Sequence, residues 1–298
     1  MRRIALRKLR RRYDWVALLF LLPSLAIIFV FHILPIFYSL GLSLFSWDLI
    51  GEARFVGMDN YAKLTSDPLF FKSLWNTLYF AVVSVPLNII IAIAIAMLLN
   101  SQIRGIGIYR TIYFIPVITS VNAVSIVWKW MYHPTYGLLN MVLGFFGVPA
   151  QSWLEDPHLA MPCIIALSVW KSLGYNVIFF LTGLKNVPKY LYEAALVDGA
   201  NRWHKFRYIT WPILSPVTYY VLIVSTISSF QVFAQVYMMT PNGGRLKSTL
   251  VVVFYLYRVA FRDMRFGYAS AIAFELFLMI FTMTMIQKLF LEKRVHYS

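Results

Sequence analysis

Six stretches of this chain are each long and apolar enough to cross a bilayer: residues 15–41, 74–99, 108–131, 159–184, 212–238 and 268–290. A hydrocarbon core about 30 Å thick takes about 20 mostly apolar residues per helical span. Lipid offers no partner to a backbone N–H or C=O, so runs of this length must be helices. Barrel strands would instead alternate over segments of about ten residues. Composition agrees, with 60% apolar and 13% charged residues, where a soluble domain carries about 25% charged. An ordinary cytosolic enzyme, a secreted disulfide scaffold and a disordered chain are thereby excluded. The fold expected is an all-α integral membrane protein with six transmembrane helices. One membrane domain covers 15–290, between a basic segment at 1–14 and a tail at 291–298.

The net charge of +15 comes from cations set in short blocks between the apolar runs. That pattern reads as a positive-inside bias rather than as a nucleic-acid surface. With the N-terminus in the cytoplasm, cytoplasmic segments hold seventeen Lys and Arg and external segments eight. Both termini are then cytoplasmic. The first run is too long for the apolar part of a secretory signal, and no small-residue cleavage site follows it. Residues 248–262 are apolar but short and flanked by Arg and Lys, which suits an external helix on or beside the membrane surface. The single cysteine, Cys163, allows no intrachain disulfide, and the five histidines show no ligand spacing. No metal site is expected.

The most distinctive loop lies between spans four and five, at 185–211. Asn186 is placed to cap a helix and Pro188 to occupy its first turn. That helix passes through Glu193-Ala194-Ala195 and should stop at Gly199, the residue best suited to a positive-φ turn. A second short helix is expected from about Asn201 to Ile209, with Pro212 starting the fifth span. The apolar side chains Leu191, Ala195, Leu196, Trp203 and Phe206 have no evident partner within so small a loop. Either the hairpin packs on its own membrane domain, or it is a docking knob for a cytoplasmic partner.

Glu193-Ala194-Ala195, then Gly199, then Ile209 and Pro212 resemble the EAA motif of binding-protein-dependent ABC importers. Trp211 stands where that motif usually has leucine. The resemblance extends over about 15–290. It includes Asn76-Thr77-Leu78, residues 110–116, Trp128 with Gly137-Leu138-Leu139-Asn140, residues 233–244, and Gly267-Tyr268-Ala269-Ser270-Ala271. The chain is similar to the maltose-type carbohydrate permeases, in the larger-partner-like half of a heterodimeric channel. Gly243-Gly244-Arg245 departs from that family's usual Gly-Gly-Pro. The resemblance implies a multi-pass protein of a prokaryotic inner membrane. Its implied partners are a second homologous permease subunit, two cytoplasmic ATPase subunits, an extracytoplasmic sugar-binding protein, the sugar and the bilayer. It also implies that Glu193, Ala194, Ala195, Asp198, Gly199, Ile209 and Pro212 couple to the ATPases, with Glu193 seated in an ATPase cleft.

No phosphate-binding loop, catalytic triad or useful carboxylate pair is present in the sequence, so the chain is not expected to be an enzyme. No cofactor is expected on it; ATP and Mg belong on the partner ATPases. Polar residues inside spans are costly and usually face a cavity or another helix. Ser225, Ser228, Ser229, Gln231 and Gln235 are expected to form a stripe on span five, and Lys171, Tyr175 and Asn176 one on span four. Any one of these serines can equally serve close packing or bond its own backbone. A sugar path takes hydroxyls, amides and aromatic faces, for which Tyr175, Phe179, Phe230 and Phe233 are candidates. The substrate-path residues are taken to be Tyr175, Asn176, Ser225, Ser229, Gln231 and Gln235, with Ser225, Ser229 and Gln231 chosen by their likeness to related permeases. Glu275 is the lone carboxylate deep in a run, open to pairing with Lys171 or with a partner's cation. The alternative class is an ion-coupled secondary transporter, which would carry paired charges at mid-membrane and internal repeats.

Overall fold

The computed structural model describes residue 16 and residues 18–100 and 106–292. The segment 1–14, Arg104, and Lys293 and Arg294 of the tail lie outside the described residues. Two compact units emerge. One comprises the described residues up to Ser66 with Val259–Glu275, the other Asp67–Arg258 with the chain from Leu276.

In the first unit, helix α1 spans Leu18–Leu42 and is apolar on every side. A π-helical turn, Phe29–Ile33, lies just ahead of Pro35. A proline inside a helix lacks an N–H and crowds the carbonyl four residues back, and a widened turn relieves both. After α1 the chain forms a short antiparallel ladder, a departure from the all-α class expected. Strands β1 (Phe45–Ser46) and β2 (Arg54–Phe55) pair Phe45 with Phe55. The turn between them is held by Asp48, whose Oδ1 accepts from Gly51 N (2.9 Å) and Ile50 N (3.2 Å). Those two N–H groups, Gly51 first, hold the Asp48 carboxyl below the usual carboxylate range. Helix α2 (Asp59–Leu64) brings in Asn60, which is buried and donates to the carbonyls of Ser43 (2.7 Å) and Phe45 (2.9 Å).

The second unit is built on three long helices: α3 (Pro68–Asn100), α7 (Ala160–Lys185) and α9 (Arg202–Phe230). Between α3 and α7 run α4 (Ile106–Ile118), α5 (Val121–Met131) and α6 (Leu138–Phe145). Helix α8 (Lys189–Val197) precedes α9. After α9 come α10 (Ala234–Met239), α11 (Val252–Phe261) and α12 (Phe266–Leu291), of which α11 and α12 each belong partly to the first unit. The core repeats at helical spacing: Val85, Ile89, Ala92 and Ala96 of α3 meet Val177, Phe180 and Leu184 of α7 and Leu214 and Val221 of α9. Ala92 and Ala96 are fully buried. Small residues one turn apart let backbones approach, the main device for helix association where lipid is as apolar as leucine.

Among the described residues, five helices (α1, α3, α7, α9 and α12) are long and apolar enough to cross a membrane. The expected span at 108–131 is corrected in its continuity. It is two helical pieces, Thr111–Ile118 and Val121–Met131, bent by 110°. The expected span at 212–238 is corrected as well: its helix starts at Arg202, ends at Phe230, and the chain restarts as α10. Helix α11 falls within the expected 248–262 and has ten residues. At 1.5 Å per residue it measures about 15 Å, half a bilayer core.

Residues 242–247 carry positive φ at Asn242, Leu246 and Lys247. Cross-links over-determine this loop: Lys247 Nζ donates to Asn242 O (2.9 Å), and Thr249 Oγ1 to Thr240 Oγ1 (2.8 Å). Asn76 on α3 pins its far end, donating to the carbonyls of Lys247 (2.8 Å) and Leu250 (2.9 Å).

Candidate functional site

Three helical stripes converge on a cavity of about 360 Å³. Ser84 and Asn88 come from α3; Ser168, Ser172, Tyr175, Asn176 and Phe179 from α7; Tyr220, Ser225, Ser228 and Ser229 from α9. On each helix these positions recur every three to four residues, so they share a face. The lining joins hydroxyls, amides and aromatic rings.

An amide network organises it. Asn176 Nδ2 donates to Asn88 Oδ1 (2.5 Å), and Asn88 Nδ2 donates to Ser172 Oγ (2.7 Å) and Val169 O (3.1 Å). Both asparagines are buried. In lipid an unpaired amide is costly, so each must find its partner across the helix pair, which fixes α3 against α7. Gln235, beyond the break after α9, lines the cavity and donates to Ser168 Oγ (3.2 Å). Aromatic walls come from Phe179, edge-on to Tyr220 at 5.2 Å, and from Tyr175, edge-on to Phe114 at 6.4 Å.

The structure thus gathers Tyr175, Asn176, Ser225, Ser229 and Gln235 around one space. Gln231 is not among them. It caps the C-terminus of α9 and is exposed, because the helix carrying the expected stripe stops there. Ser229 Oγ donates to Thr226 O (2.7 Å), so that hydroxyl bonds its own helix. Two expected aromatic surfaces lie elsewhere: Phe230 is buried, and Phe233 packs on Tyr237, Phe254 and Tyr257. Tyr220 supplies the missing ring. Its spacing from Val224 and Ser225 is legible, but a tyrosine amid apolar residues carries no signal of its own. Lys171 points away from this space, its Nζ donating to the carbonyls of Pro116 (3.1 Å) and Thr119 (2.7 Å). Glu275 is half-buried in α12.

The second feature is the loop joining α7 to α9. Helix α8 ends at Asp198, and Gly199 follows with φ +74°. Ala200 N donates to Ala195 O (2.8 Å) and Gly199 N to Leu196 O (3.1 Å). This doubled closure is the Schellman arrangement, which requires a left-handed residue where Gly199 stands. Asn201 then caps α9, its Oδ1 accepting from His204 N (2.9 Å). Tyr192 Oη bonds Thr210 Oγ1 (2.9 Å), tying α8 to the start of α9.

Three local expectations are corrected. Asn186 ends α7 instead of capping α8, and Pro188 is the N-cap of α8 rather than part of its first turn. No separate second helix exists either: Arg202–Phe230 is continuous, with Pro212 more than two turns inside. A π-helical turn, Phe206–Thr210, again sits just ahead of the proline and accommodates it. Ile209 falls within that turn and is half-buried, as is Pro212. Glu193, Ala194, Asp198 and Gly199 are exposed and Ala195 half-buried. Around them Leu196, Val197, Trp203 and Tyr208 expose between 66% and 89% of their surface, an apolar face of the kind that marks an interaction site.

Bilayer-length helices, a polar space among three of them and an exposed kinked loop define a polytopic membrane component with an internal path. The model of the binding-protein-dependent transport system inner membrane components matches residues 3–297, and the chain belongs to that family. The lactose transport system permease protein LacF of Rhizobium radiobacter is 38% identical over 285 residues, 94% of this chain and 95% of that one. The trehalose/maltose transport system permease protein MalF of Thermococcus litoralis is 34% identical over 282 residues, covering 94% of each. In fold, the chain is similar to one from a bacterial ABC transporter involved in alginate import. The TM-score is 0.84 at 23% identity, with 97% of this chain and 99% of that one covered.

Proposed function

We propose that this chain is the transmembrane permease subunit of an ATP-driven sugar importer. Paired with a second permease subunit, it forms half of the translocation path through a prokaryotic inner membrane. The bent pair counts as one span, giving six, with both termini in the cytoplasm. The loop from α7 to α9 is the coupling element onto which two ATPase subunits dock, each binding its own ATP and Mg. An external binding protein delivers the sugar.

The observation that carries this reading is the cavity: neutral hydroxyls and amides beside aromatic faces, the chemistry that holds a polyol. Its relatives named as lactose and trehalose/maltose permeases support the same substrate class. The neutral lining does not favour ion-coupled transport, which uses paired charges in the path. In the proposed cycle, ATP-driven closure of the ATPases pulls on α8. The Schellman turn passes the motion rigidly into α9, whose far end lines the cavity. Access then shifts between the two sides because the nucleotide state favours one arrangement over the other.

The test is Glu193→Ala in the complete importer. Membrane insertion and assembly with the second permease are retained, and ATP-driven sugar uptake is lost. Undiminished uptake by this variant overturns the coupling role.

A further inference from the structure

A lysine in the middle of a bilayer-length helix needs a reason, because a cation there is costly and takes polar partners when it occurs. Among the described residues Lys171 has two partners, both backbone carbonyls, those of Pro116 and Thr119. These lie in the last turn of α4 and just past its end, where α4 gives way to α5 at 110°.

Elementary accounting explains the choice. A helix end leaves its last four carbonyls without intrahelical donors, and lipid supplies none. Here Thr119 Oγ1 turns back to Ile115 O (2.9 Å), and Lys171 reaches across from α7 to cover Pro116 O and Thr119 O. The positive charge also sits against the negative end of the α4 dipole. The chain restarts with Ser120 as N-cap of α5 and Val124 N donating to Ser120 O (3.1 Å).

One turn along α7, Gly174 fixes the same crossing sterically. A Cβ there would lie 2.6 Å from Tyr113 O and 2.3 Å from Val117 Cγ2, so α4 packs against bare α7 backbone. Tyr175, beside Gly174, lines the cavity. Helix α4 is thus held to α7 at Lys171 and Gly174, while α5 leaves at a steep angle through two residues, Thr119 and Ser120.

We infer that Lys171 is a positioning residue of the transport cycle: by capping the broken helix from α7 it makes α4 and α7 move as one body while α5 pivots at Thr119–Ser120. This rests on reading the chain as a transport subunit. The test is therefore chosen to read the joint without any sugar.

The complete importer is prepared in a Cys163→Ala background with spin labels in pairs. One pair, at Ile112 and Ile178, spans α4 and α7; the other, at Ile112 and Ile126, spans the break. Distances are measured nucleotide-free and after ATP–vanadate trapping. The first distance is expected to stay constant between states and the second to change. In Lys171→Met the first distance broadens and shifts between states. Maximal uptake of radiolabelled lactose or maltose falls about tenfold or more with half-saturation unchanged, the signature of a lost transition-state interaction rather than lost binding. Lys171→Arg restores both readouts.

The inference is overturned if the α4–α7 distance changes with nucleotide as much as the distance across the break, or if Lys171→Met matches the parent in both readouts. If Lys171→Met does not assemble, Lys171→Gln is read in its place. Failure of both beside a normal Lys171→Arg marks a purely structural residue and also overturns the inference. A parent complex that moves no sugar but keeps the nucleotide-dependent distances counts against the transport reading alone.

Discussion

Gly199 offers a substitution whose magnitude can be worked from geometry. Its φ is +74°, and a Cβ built there meets nothing within 4 Å. No steric clash contributes, so the whole cost of a side chain is conformational. For alanine, holding a left-handed backbone costs roughly 1–2 kcal/mol. Asparagine visits that region far more readily, and a β-branched residue hardly at all. If the doubled closure onto Ala195 and Leu196 must persist for α8 to drive α9, Gly199→Ala depopulates the working elbow by a factor of about 5–30. The assay is ATP-driven uptake by the reconstituted complex, normalised to assembled subunits. The expected order is Gly above Asn, then Ala, then Val. An order that follows side-chain size, with Ala above Asn, refutes the conformational argument. Equal rates for all four show that the elbow's geometry does not matter.

Two further substitutions probe what holds the cavity and the loop beyond it. Asn176→Ala leaves Asn88 Oδ1 buried without its donor, which costs about 1–3 kcal/mol and lowers the thermal unfolding midpoint of the purified subunit. Replacing both asparagines by leucine is expected to cost less than the two single changes summed, because no amide is then left unpaired; strict additivity counts against the network. Asn76→Leu removes the donors that pin Lys247 O and Leu250 O and is expected to speed proteolysis within 242–250, whereas an unchanged cleavage rate shows that the loop's own cross-links suffice.

What could be read from the sequence follows from which forces act locally. A bilayer demands long apolar runs, so the helices at 18–42, 68–100, 160–185 and 266–291 were legible to within six residues at either end. Gly199 was legible because a left-handed turn excludes nearly every other residue. Five of the six path candidates meet in one cavity because polar residues at helical spacing in lipid must share a face. The break at Thr119–Ser120 was hidden because two small hydroxyl residues within an apolar run read as continuous helix. The lysine that caps it lies 52 residues further along the chain. Gln231 and Phe233 were misplaced for a related reason: α9 stops at Phe230 and the register assumed for them ends there, whereas Gln235 reaches the cavity from α10. The two π-helical turns ahead of Pro35 and Pro212 depend on helices that continue through a proline, and at Pro212 the sequence suggested a start instead.

On the function proposed above, this chain is the passive half of a path whose energy comes from a neighbour. Proteoliposomes carrying this chain and its partner permease, with the binding protein and labelled sugar outside, test it directly. Uptake is expected only when the ATPase subunits and ATP are present inside, and to cease when either is omitted. Sugar accumulation by the permease pair alone, driven by an imposed proton or sodium gradient, would contradict the account.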